Sequence, residues 1–144
     1  MQARRDLIAY GTPAHAYSLI HADFLMDNLI FDKDRIKILD FDDCGFGWHL
    51  FDLSTIFLFF RGEDTYDTIR HAVIDGYREV RALSDEELAH MPLFYLVRSF
   101  TYLGWVHTRY ETSAAKELAP MLTDLACEVA GEYLSRGRPA AFRG

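Results

Sequence analysis

LIHADFLMDNLIFDKDRIKILDFDDC, residues 19–44, decides how the rest of the chain is read. Asn28-Leu-Ile-Phe31 and Ile36-Lys-Ile-Leu39 are β-rich runs on either side of a polar four-residue turn, Asp32-Lys-Asp-Arg35, and so predict a hairpin. A hairpin returns the chain to its own start, which makes Asn28 and Asp40 neighbours. Asp23 lies on the polar loop that leaves the short apolar stretch Ser18–His21, and hangs over the same point. Two or three carboxylates and an amide then converge, because Asp40-Phe-Asp-Asp43 closes the second strand with three more acids. Like charges that close are unfavourable unless they share a cation or a proton. An oxygen-only donor set suits a hard ion, Mg²⁺ above all, which keeps places for water and substrate phosphates.

Outward from this segment the pattern changes. Upstream, residues 3–10 read as a helix end stopped by Gly11 and Pro13. Downstream of Leu50 the period is helical. Phe51, Ser54, Ile56–Leu58 and Phe60 make a helix apolar on nearly all sides, hence buried. Tyr66, Ile69, Val73, Tyr77 and Val80 form an amphipathic stripe. Ser84-Asp-Glu-Glu87 is a capping box opening a helix that meets Pro92, where the chain must kink or restart. Leu93, Leu96, Val97, Phe100, Leu103 and His107 continue one face. A last helix carries Leu118, Met121, Leu122, Leu125, Val129 and Tyr133 and ends near Gly137, before a frayed tail. The fold class expected is α+β, mostly α: a small β-hairpin unit followed by four or five packed helices, in one domain, residues 1–144.

Composition narrows the function. Half of the 144 residues are hydrophobic and 26% are charged, which is globular. The net charge of -7 argues against sequence-independent nucleic-acid binding and against docking on anionic lipid. Neither the N-terminus nor the longest apolar run, Ile56–Phe60, fits a signal peptide or a membrane span. Cys44 and Cys127 make no metal-binding pattern and read as free thiols in a cytoplasmic protein, Cys44 as a small buried filler. Glu86, Glu87 and Glu111 read as solvated helix faces, and Trp105 and His107 as packing residues. Trp48 and His49 cover the core or line a cleft, a choice the sequence leaves open.

The order His-x-Asp-x-x-x-x-Asn, followed by a strand-borne Asp-Phe-Asp, resembles the catalytic and metal loops of the aminoglycoside phosphotransferase and choline kinase family, which shares the protein-kinase-like fold. Within it the likeness is to the bacterial phosphotransferase-enzyme branch of homoserine-kinase-like and stress-response-kinase-like proteins. The match runs through LIHADFLMDNLIFDKDRIKILDFDDCGFGWHLFDLST, residues 19–55. The resemblance implies a C-terminal kinase lobe using ATP and Mg²⁺ to phosphorylate a hydroxyl-bearing acceptor. It implies Asp23 as the catalytic base, Asn28 and Asp40 as metal ligands on the nucleotide side, and Asp42 as a ligand to a second metal. His21 would hold the loop, and Asp52 would brace it from the first helix.

Three departures are visible. Ala22 stands where the family often has glycine, and Leu25 where it often has a second histidine. Asp42 replaces the glycine of protein kinases, as is usual in this branch. The sequence contains no GxGxxG, and Lys33, Lys37 and Lys116 come too late to be the strand lysine of an N-terminal ATP-binding lobe. The expectation is therefore a C-terminal lobe without its N-lobe. A truncated, non-catalytic module binding a partner or a metal is the alternative, and a metal-dependent hydrolase a distant third. The bare lobe surface should self-associate as a symmetric homodimer. Aminoglycoside, homoserine, choline-like alcohol and protein serine all remain open as acceptors.

Overall fold

The computed structural model describes residues 2–33 and 35–136. In chain order its elements are α1 (Gln2–Tyr10), β1 (Tyr17–Ile20), β2 (Leu29–Asp32), β3 (Arg35–Ile38), β4 (Gly45–Trp48), α2 (His49–Leu58), α3 (Tyr66–Val80), α4 (Asp85–Leu88), α5 (Met91–Thr108) and α6 (Ser113–Ser135). The architecture is α+β and mostly α, with only short antiparallel strands. The chain divides into two compact units, one of Thr12–Leu88 and one of Met1–Gly11 with Ala89–Gly144.

The first of these units carries every strand among the described residues. β1 pairs antiparallel with β4, Tyr17 opposite Trp48 and Ile20 opposite Gly45. β2 pairs with β3, Leu29 opposite Ile38 and Asp32 opposite Arg35. The hairpin is thus tighter than the sequence suggested. Asp32 and Arg35 belong to the ladder, and Lys33 turns at φ +55. The two ladders are nested. The β1–β4 ribbon clamps both ends of the 21–44 segment, and the β2–β3 hairpin projects within it. β4 was not expected, because Gly45 and Gly47 break up the strand signal of Phe46 and Trp48. Gly47 has a reason to lack a side chain: a Cβ there would lie 2.3 Å from Ile20 Cδ1.

α2 buries Leu50, Leu53, Phe57 and Leu58 as its all-round apolar pattern requires. Its Ser54 and Thr55 hydroxyls are buried but donate to the Phe51 carbonyl, so their desolvation is offset. α3 buries Ile74, whereas Val80, at the end of the expected stripe, is exposed. The capping box forms as read: Glu87 N donates to Ser84 Oγ at 3.1 Å, and Ser84 N to Glu87 Oε2 at 3.0 Å. Glu87 is consequently buried, not solvated as expected. Cys44 is exposed, contrary to the filler expectation.

In the other unit, α5 restarts the helix with Pro92 in its first turn, the second of the two outcomes open at that proline. A short turn through Arg109–Thr112 folds α6 back along α5, and the Thr112 hydroxyl accepts from Ala115 N to cap it. Pro120 lies inside α6. Gly11 ends α1 at φ +68 with its N–H on the Leu7 carbonyl, as its glycine predicted. Tyr10 stands edge-on to His90 and Phe94, and Tyr133 donates to Asp6, so α1 is tied to both long helices. Phe100 and His107 of the expected α5 face are exposed, as are Leu118 and Met121 of α6. The expected helix end near Gly137 and the frayed tail fall on residues 137–144, outside the described residues.

Candidate active site

β1 delivers the chain into the loop at His21, whose side chain is only 6% exposed. Its Nδ1 accepts from the Asp23 N–H at 3.3 Å, which makes Nε2 the protonated nitrogen, and Nε2 donates to the Leu39 carbonyl at 2.8 Å. One neutral tautomer therefore fixes the loop after β1 to the residue before Asp40. Phe24 and Phe41 flank the ring at 5.5 and 4.8 Å. Both oxygens of Asp52, in the first turn of α2, accept backbone N–H groups: His21 N at 2.8 Å and Ala22 N at 2.8 Å. A carboxylate accepting two N–H donors is a strong, charge-assisted brace.

The brace holds a backbone that L-residues resist. Ala22 sits at φ +68 and Asp40 at φ +58, both in the left-handed region. Ala22 occupies the position where the family pattern often has glycine, and its backbone angle supplies the reason. Past Ala22 the chain makes a short 3-10 turn, Met26–Asn28, that swings Asn28 back. Asn28 Nδ2 donates to the Asp23 carbonyl at 2.9 Å and reaches Asp23 Oδ2 at 3.4 Å. Because its amide nitrogen is spent on Asp23, Oδ1 is the oxygen left to face a cation.

Asp40 follows Leu39, whose N–H donates to the Asn28 carbonyl at 2.9 Å. The ladder thus ends beside Asn28, and Asp40, exposed, begins the next loop. Asp42 and Asp43 form the middle of the turn from Phe41 to Cys44, closed by Cys44 N on the Phe41 carbonyl at 3.1 Å. Asp23 and Asn28 are in contact, Asp40 adjoins them through the chain, and Asp42 stands two residues further on. Among the described residues no three His, Cys, Asp or Glu side chains group as metal ligands. A cation here would take one amide and one carboxylate from the protein and the rest from water and phosphate, the usual economy of Mg²⁺ sites.

The choice left open at His49, core cover or cleft lining, falls to burial. His49, 8% exposed, bonds through Nε2 to Ser18 Oγ at 2.7 Å. Burial, and after it Arg81, holds this imidazole below its ordinary value of 6.5, against the pull of Glu87, a backbone bond to His15, and Asp52. Tyr77 lies in the same field. Burial pushes its phenol up, with Glu87 and Asp52 adding to the rise and Arg81 opposing it. The available signal was spacing, since His49 precedes Asp52 by one helical turn.

The chain belongs to the phosphotransferase enzyme family, whose model matches residues 1–85. It is 27% identical over 111 residues to amicoumacin kinase of Bacillus subtilis (strain 168), covering 70% of this chain and 33% of that protein. A microcompartment-associated aminopropanol kinase superposes with a TM-score of 0.79 at 31% identity, over 92% of this chain and 42% of that one. An amicoumacin kinase in complex with AMP-PNP, Ca²⁺ and Ami superposes with a TM-score of 0.70 at 25% identity, over 91% and 42%. The chain thus spans less than half the length of these relatives. No described helix is long and apolar enough to cross a membrane.

Proposed function

We propose that this chain is the C-terminal lobe of an ATP-dependent cytoplasmic kinase that phosphorylates the hydroxyl of a small amino alcohol. Asp23 orients the acceptor hydroxyl and takes its proton. Asn28 Oδ1 and the Asp40 carboxylate hold Mg²⁺ on the nucleotide side, with Asp42 available to a second ion. Bound there, the metal supplies positive charge for the transferred phosphoryl group. The carrying observation is the Asp23–Asn28 contact inside a loop fixed by His21 and Asp52. That contact sets the Asp23 carboxylate beside the Asn28 amide, and the Leu39 N–H on the Asn28 carbonyl brings the residue before Asp40 to the same point.

The acceptor class rests on the aminopropanol kinase likeness and on the acidic balance of the chain, which suits a cationic amine. The test is phosphorylation of aminopropanol by the intact protein with ATP and Mg²⁺. Asp23→Asn and Asp40→Asn should each abolish it, and full turnover in either ends the assignment.

A second reading is a kinase-like module that binds a partner without turnover. The β2–β3 hairpin exposes Ile30, Phe31, Ile36 and Ile38. A two-stranded hairpin bare on both faces is marginal alone, and this surface is where we infer homodimer contact. A monomer at every concentration in sedimentation would remove that part.

A further inference from the structure

β1 is a four-residue strand held to α2 at both of its ends. After it, Asp52 takes the His21 and Ala22 N–H groups. Before and within it, His49 makes three contacts: its N–H donates to the Ala16 carbonyl at 3.0 Å, its ring has a backbone bond to His15, and Nε2 meets Ser18 Oγ at 2.7 Å. His49 and Asp52 are one turn apart on the same helix, so they present the same face. We propose that His49 is a positioning residue for phosphotransfer, the second clamp that sets the register of β1 on α2 and so holds the Ala22–Asp23 backbone in its left-handed turn. This rests on the reading of Asp23 as the base.

The geometry has the features such a role requires. β1 is paired along its length with β4, which runs straight into α2, and within that ribbon a small shift of β1 along α2 moves Asp23, the residue after Ala22. The Ser18–His49 bond removes that freedom. The ring stays neutral at neutral pH because it is buried next to Arg81, so Nε2 can accept from the serine hydroxyl. The groups acting on it are Ser18 within β1, the His15 backbone ahead of the strand, Asp52 on α2, Arg81 at the end of α3, and Glu87 of α4. Glu87 is itself fixed by Ser84, with His15 Nε2 at 3.8 Å.

The test is amide hydrogen exchange at His21 and Ala22 in the intact protein, together with kcat and KM for aminopropanol. Ser18→Ala should speed exchange at both amides about fivefold, as for loss of one part-buried hydrogen bond. The Ile74 amide in α3 should not change, and kcat should fall while KM for aminopropanol holds. His49→Gln, which keeps one acceptor and one donor, should restore wild-type values; His49→Phe should not. Unchanged His21 and Ala22 exchange in Ser18→Ala overturns the proposal. So does an equal rise at Ile74, which marks general loosening. If His49→Phe does not fold, Ser18→Ala and His49→Gln decide alone. If the wild type shows no phosphotransfer, the kinase reading fails, while the exchange data still decide whether His49 clamps the loop.

Discussion

Replacing Asp52 with alanine separates two physical roles of one carboxylate. As an acid in the first turn of α2 it interacts with the helix dipole, worth about 0.3–1 kcal/mol at a surface and screened by salt. As a brace it accepts two backbone N–H groups, both at 2.8 Å and part-buried. Hydrogen bonds to a charged group contribute about 1.5–3 kcal/mol each, and water reaching a part-buried loop recovers some of that. Two bonds at the low end give about 3 kcal/mol for Asp52→Ala. Asp52→Asn keeps one acceptor and turns an N–H toward the other donor, so it should cost about 2 kcal/mol. With a urea slope of about 1–3 kcal/mol per molar, Asp52→Ala should move the midpoint down by roughly 1–3 M. The shift should persist in about 1 M salt, where an exposed dipole interaction is largely screened. A loss below about 1 kcal/mol, or one that vanishes in salt, would show that the brace contributes nothing beyond the dipole.

Ala22→Gly should stabilise the protein by about 0.5 kcal/mol, because glycine relieves the φ of +68 while giving back part of the gain in unfolded-state entropy; a lower melting temperature by calorimetry contradicts this. His49 binds its proton less tightly folded than unfolded, so the unfolded state holds more protons below the ordinary imidazole value of 6.5. Its contribution is full above that pH and is lost as pH falls through the folded value, and His49→Gln should flatten this part of a stability-versus-pH curve measured in urea. Ser84→Ala removes the acceptor for Glu87 N and should cost about 1 kcal/mol, readable as a chemical-denaturation midpoint; no change would mean that α4 does not depend on its cap.

The contacts within the candidate site, Asn28 on Asp23 and His21 on Leu39, were legible because they lie within a short stretch of sequence. His21, Asp23, Asn28 and Asp40 declare themselves by polarity among apolar neighbours and by the hairpin between them. The capping box and the restart at Pro92 were legible for the same local reason. β4 was not, since Gly45 and Gly47 carry no strand signal and the strand exists because β1 needs a partner that leaves room for the Ile20 side chain. Glu87 was misread because an acidic run looks solvated until its cap partner buries it. Val80 failed because a periodic stripe says which face is apolar, not how far along the helix the core extends. The His49–Ser18 clamp joins residues 31 positions apart, and no local pattern encodes such a contact.

His21 carries a final consequence. Its ring and backbone touch Asp52, the Asp23 N–H and the Leu39 carbonyl, and two of the left-handed residues of this segment, Ala22 and Asp40, each adjoin one of these contacts. Strain of this kind persists only where neighbouring groups over-determine it. The ring and the Asp52 carboxylate therefore share one task, holding the same bent backbone, and their removal should not be additive. In a double-mutant cycle, His21→Ala and Asp52→Ala together should cost less than the sum of the single substitutions by about 1 kcal/mol or more, because a loop that has already relaxed has little left to lose. Denaturation of the three variants and the wild type measures this directly. Costs that add within about 0.3 kcal/mol would mean that the two groups act on separate parts of the loop, and the left-handed turn at Ala22 would then need another source of support.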